Sequence, residues 1–115
     1  MQEQGCGALW NLSSLAENQA KVAEAGGIGA VASAMRQHEG DAGVQEQGCG
    51  ALWNLSLLAE NQANVAEAGG IGAVVSAMRL LLLNAQNALQ ILEVAFWSLK
   101  LLLLLHIQRI QPLFA

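Results

Sequence analysis

The chain has 115 residues, carries 9 acidic against 5 basic side chains for a net charge of −4, and is 54% hydrophobic. That length is one domain by size, the apolar share is enough for a core, and the acidic balance argues against nucleic acid, which needs a clustered basic face. Met1-Gln2-Glu3-Gln4 lacks the basic start and apolar core of a secretory leader, so a cytoplasmic or nuclear setting is the default expectation.

Residues 2–36 recur as residues 45–79, differing only at Ser14/Leu57, Lys21/Asn64 and Ala32/Val75, so equivalent positions lie 43 apart, as Trp10 and Trp53 do. A helical period of that size marks an all-α solenoid, in which each unit buries its apolar face only against its neighbours. Residues 1–17 read as the third helix of a partial unit, 18–59 as a full unit, and 60–115 as a second unit with a worn third helix and a leucine-rich end. Fewer than three units fit in the chain, which points to a short array or a fragment of a longer one. Cys6 and Cys49 are one repeat position seen twice and read as small buried or half-buried residues rather than a disulfide or reactive thiol.

In chain order, Glu17-Asn18 opens a short polar helix over Gln19 to Ala25, which Gly26-Gly27 ends because glycine accepts the left-handed conformation of a helix stop. A second helix runs from Ile28 to about Gln37, with Ile28, Val31 and Met35 apolar at helical spacing and Arg36 near its end, where the dipole favours a cation. His38-Glu39-Gly40-Asp41 is a loop whose Asp41 can cap the next helix. The third helix spans Ala42 to about Ala59. Val44, Gly48, Ala51, Leu52, Leu55 and Ala59 gather on one side of it and predict a core face. Glu46, Gly50, Trp53, Asn54 and Leu57 form an outward polar and aromatic strip. Gly5, Gly7, Gly48 and Gly50 each weaken a helix interior by roughly 0.5–1 kcal/mol, so Gly50→Ala is expected to stabilise unless a neighbouring helix needs the space.

The run Gln45-Glu46-Gln47-Gly48-Cys49-Gly50-Ala51-Leu52-Trp53-Asn54-Leu55-Ser56, followed by Asn61 to Ile71 with its Ala-Gly-Gly-Ile, resembles the armadillo repeat. The resemblance covers Gln2 to about Arg79. It implies a right-handed α-solenoid of three-helix repeats whose third helices line a concave groove, where the Asn of Ala-Leu-x-Asn-Leu hydrogen-bonds the backbone of an extended peptide. Carried over, that ladder is Asn11 and Asn54. The nuclear-import branch has a Trp one turn before the Asn, where this chain has Gly7 and Gly50. Trp10 and Trp53 directly precede the Asn instead, placed either to floor the groove or to pack on the neighbouring third helix.

After Arg79 come Leu80 to Leu83, then Asn84-Ala85-Gln86-Asn87, then a third helix expected over Ala88 to Leu105. With a one-residue shift, Ala95-Phe96-Trp97-Ser98-Leu99 aligns with Ala51 to Leu55, which puts Ser98 at the ladder place. Leu80 to Leu83 and Leu101 to Leu105 exceed what one helix face buries, and the chain stops just after Pro112 without a polar cap, so self-association as a homo-oligomer through this end is expected. Ala88 to Ile107 is long enough to span a bilayer, but Glu93 and Lys100 would each cost roughly 2.5–3.5 kcal/mol at its centre, so membrane insertion is not expected.

No motif points to catalysis. Gly27-Ile28-Gly29-Ala30-Val31-Ala32 has the form of a dinucleotide fingerprint but follows a helix, and the second copy breaks it at Val75. His38-Glu39 lacks the second His of a zinc-protease helix. No nucleophile stands at plausible spacing from a base, so neither an enzyme nor a metal or other cofactor is expected. The functional expectation is a protein-binding scaffold. Its groove residues are Asn11, Asn54, Trp10, Trp53, Glu3, Glu46 and Ser98, and its partner is a protein or peptide segment, with positive charge mildly favoured. The rival expectation is a structural element that assembles through the leucine-rich end.

Overall fold

The computed structural model describes the backbone of residues 1–114 and the side chains of residues 1–109, so the side chain of Pro112 lies outside the described residues. Six helices, and among the described residues no strand, make up the chain: α1 (Gln2–Leu12), α2 (Ala16–Glu24), α3 (Gly27–Gln37), α4 (Ala42–Ser56), α5 (Ala59–Glu67) and α6 (Gly70–Phe114). They fall into two compact units, Met1–Leu81 and Leu82–Ala115.

In the first unit, each helix ends for a local reason. Asn18 Nδ2 donates to Leu12 O at 2.9 Å and Gln19 Nε2 to Ser13 O at 3.2 Å, satisfying carbonyls that the end of α1 leaves without a helical partner. Asn61 and Gln62 repeat this on Leu55 O (3.0 Å) and Ser56 O (3.1 Å). The Glu-Asn-Gln run is thus a corner device. It also corrects the expected boundaries: α2 begins at Ala16 rather than Gln19, because Leu15 is extended (φ −90°, ψ 127°) and accepts the first bond from Asn18 N. By the same logic α4 ends at Ser56, and Ala59 is an exposed residue opening α5 rather than a core residue closing α4.

Gly26 and Gly69 both sit at φ 81°, the left-handed stop that side chains with a Cβ resist. Asp41 caps α4 by accepting from Val44 N at 3.2 Å. Val44, Gly48, Ala51, Leu52 and Leu55 are buried, as the spacing predicts, together with Ile28, Val31 and Met35 of α3. Gly48 is buried because α3 lies on it: an added Cβ would stand 2.6 Å from Met35 Cγ. Full burial of a side chain the size of Met35 or Leu55 is worth roughly 1.5–3 kcal/mol, so this α3–α4 layer carries much of the stability. Ala73 and Ala77 of α6 complete the core.

Beyond Arg79 the structure departs from the expected separate third helix over Ala88 to Leu105. α6 runs unbroken from Gly70 to Phe114. The reason lies in composition: between Ala73 and Gln111 there is no glycine or proline, and the leucines, alanines and glutamines that fill the stretch are strong helix formers. In the second unit every residue from 82 to 109 is exposed, fifteen of them large apolar side chains from Leu82 to Ile107. α6 is long and apolar enough to cross a membrane by length and composition, its most apolar 18-residue stretch having a mean hydropathy of 1.8.

Candidate protein-interaction surface

The candidate surface lies on α1 and α4, the two copies of the third helix, which pack side by side in the first unit. Three contacts hold them in register. The Glu3 carboxylate lies over Gly43 in the first turn of α4, where the helix dipole favours an anion; a Cβ at Gly43 would meet it at 2.6 Å. Further along the contact, the Trp10 indole lies on Gly50 so closely that a Cβ there would overlap the ring. Asn54 Nδ2 then donates to Trp10 O at 2.9 Å. Glycine at position 50 is therefore the seat of a tryptophan from the neighbouring copy.

The residues expected to line a groove thus separate into two groups. Glu3, Trp10 and Asn54 are brought together along the α1–α4 contact, with Trp10 and Asn54 half-buried. Asn11, Glu46 and Trp53 are exposed, and 72% of Trp53 is accessible. The difference between the tryptophans comes from position in the array, since Trp10 has Gly50 of the following copy to lie on and Trp53 has no such helix within the first unit. Ser98 is exposed in the second unit, on the stretch of α6 where Phe96 and Trp97 meet edge to face at 6.3 Å and Lys100 Nζ stands 5.0 Å from the Trp97 ring.

Two inter-copy contacts were not singled out from the sequence. Arg36 donates to Ala68 O at 2.6 Å, so its cation serves the end of α5 rather than the end of its own helix. Asn61, almost fully buried, donates to Gln19 O at 3.1 Å as well as to Leu55 O. Their only sequence signal is that each has a counterpart in the other copy, a pattern that marks them as repeat features without saying what they touch.

Burial pushes the thiols of Cys6 and Cys49 above the usual range. Both are free and, held protonated, poor nucleophiles. No buried side-chain nitrogen or oxygen among the described residues lacks a hydrogen-bond partner. No group of three His, Cys, Asp or Glu among them is placed to hold a metal ion. No family model, curated protein or solved structure matches the chain.

Proposed function

We propose that residues 1–81 are a segment of a right-handed solenoid of armadillo type and that the chain is a non-catalytic interaction scaffold. An extended peptide segment, favoured by positive charge, lies across α1 and α4. The carrying observation is the exposed Trp53 ring on the same helix as the exposed Glu46 and the half-buried Asn54, with the exposed Asn11 on the helix alongside. Asn54 spends its NH2 group on Trp10 O and keeps its carbonyl oxygen to accept a peptide N–H, while Asn11 offers its whole amide. Trp53 gives a flat apolar platform for an aliphatic or guanidinium stem, and Glu46 gives the charge that selects a basic one. Free, poorly reactive thiols suit a reducing cytoplasmic or nuclear compartment.

A peptide array scored by the retained, fluorescently labelled protein tests this. Asn11→Ala and Trp53→Ala alter exposed side chains and leave the fold intact, and each is expected to weaken binding of the selected peptides at least tenfold. Binding that survives both substitutions removes the groove. Asn54→Ala is the poorer probe, because it also breaks the bond that ties α4 to α1.

A second reading is favoured by the exposed leucines of α6: a structural element that associates with itself through that end. Sedimentation of the parent beside a Leu81→Glu/Leu103→Glu variant tests it, and a parent that stays monomeric at tens of micromolar sinks it.

A further inference from the structure

The two copies have nearly the same sequence, yet their equivalent residues differ sharply in exposure, and the differences fall at opposite ends of the stack. In the first copy the α3 side is covered: Ile28 is 4% and Met35 1% exposed, whereas their counterparts on α6, Ile71 and Met78, are 65% and 64% exposed. In the second copy the α4 side is covered: Leu55 is 0% exposed, whereas Leu12 on α1 is 53% exposed. Met35 is covered by α4, which seats it on Gly48. The counterpart of Gly48 is Gly5 on α1, and nothing stands within 4 Å of the space where its Cβ would be. One end of the unit therefore carries an uncovered knob, and the other carries its uncovered hole.

The open end on α1 is also concave. A cleft of about 470 Å³ opens there, lined by Leu9, Leu12, Asn18, Val22, Ala30 and their neighbours. Leu9, Leu12 and Asn18 are half-buried or exposed there, whereas their counterparts in the second copy, Leu52, Leu55 and Asn61, are buried in the core. The polar contacts match too. Inside the chain, Asn54 bonds Trp10 O, Asn61 bonds Gln19 O and Arg36 bonds Ala68 O. The same donors are present at the open ends as Asn11, Asn18 and Arg79, and the same acceptors as the carbonyls of Trp53, Gln62 and Ala25.

We propose that the ends join: the α1 face of one chain takes the exposed face of α4 and the start of α6 of a second copy of this chain, continuing the internal copy-to-copy contact from molecule to molecule. The occupant is a second copy because the only surface shown to fit this face is the one the chain itself places on the equivalent face of α4 and α5. The contact is head-to-tail, with different patches meeting, so it leaves one open face of each kind and propagates into a chain of protomers. The joint is weaker than the internal one in one respect. Gln45 bonds Met35 O (2.9 Å) and His38 O (2.8 Å) where α3 ends, and α6 does not end after Met78, so Gln2 has no matching carbonyls. This association does not rest on the peptide groove, but it draws on the same Asn11 and Trp53 and so competes with a peptide for them.

Sedimentation velocity of the full chain, with Gly5→Glu and Met78→Glu as single variants, tests the proposal. Both positions are exposed, and an unchanged far-UV circular dichroism spectrum verifies folding. The parent is expected to show species growing with concentration in the tens of micromolar range. Each variant, with one face blocked, is expected to associate at least about tenfold more weakly. An equimolar mixture of the two regains one intact pair of faces and is expected to give a 1:1 dimer and nothing larger. A monomeric parent overturns the proposal, as do variants that associate like the parent, which would place the contact on the leucine-rich end. Variants that fail to pair on mixing also overturn it, because a symmetric contact would behave so.

Discussion

Gly50→Ala sets two physical effects of opposite sign against each other. Alanine is worth roughly 1 kcal/mol over glycine inside a helix, so backbone propensity alone predicts stabilisation. In the folded chain the added methyl overlaps the Trp10 indole, and the ring cannot give way freely because Asn54 holds the Trp10 carbonyl one turn further along. Overpacking of this kind costs typically 1–3 kcal/mol, and loosening the Asn54 bond adds about 1 kcal/mol. The steric cost wins by about 1–3 kcal/mol. For a unit of this size each kcal/mol lowers Tm by about 4–8 °C. Gly5→Ala is the matched control: it is exposed on the same repeat element with open space around its Cβ, so propensity acts alone and Tm should rise by a few degrees. Thermal melts followed by far-UV circular dichroism at low micromolar concentration compare the two. A Gly50→Ala variant that melts at or above the temperature of Gly5→Ala would refute the packing of Trp10 on α4.

Asn61→Ala strands two buried carbonyls, Gln19 O and Leu55 O, and should cost about 2–3 kcal/mol in urea unfolding, whereas Asn18→Ala loses one exposed bond and should cost about 1 kcal/mol or less. Equal costs would mean that position in the stack does not matter. Arg36→Ala should destabilise by about 1 kcal/mol while Arg79→Ala, exposed and without a following helix end to serve, should leave Tm of the monomer unchanged. The thiols ionise above their usual range, so they should alkylate more slowly than a free thiol at mildly alkaline pH, Cys6 more slowly than the half-exposed Cys49. Because the folded state holds the raised value, their contribution to stability is full below the ordinary thiol range and is lost as pH rises through it; a melt that is more stable at pH 10 than at pH 8 would contradict this.

Helical period, core face and glycine stops were legible in the residues, because each depends on neighbours within one or two turns. The alternation of apolar positions placed Val44, Gly48, Ala51, Leu52 and Leu55 inward without knowledge of the helix that covers them. Gly26 and Gly69 were readable as left-handed stops for the same local reason. Even the unbroken α6 was written in the chain, in its lack of glycine and proline between residues 73 and 111, although the expectation of a separate third helix hid it. Only the tertiary structure decided which copies of identical residues do which job. Trp10 and Trp53, Met35 and Met78, and Leu55 and Leu12 share sequence context, local conformation and helix face, so nothing local tells them apart. They differ because burial in a stack is set by the helix lying alongside, 13 positions on for Met35 over Gly48 and 40 for Trp10 over Gly50, and Leu12, Trp53 and Met78 stand exposed with no such cover. The same distance explains Gly50, whose role is a space left for another helix's side chain and cannot be read from its own.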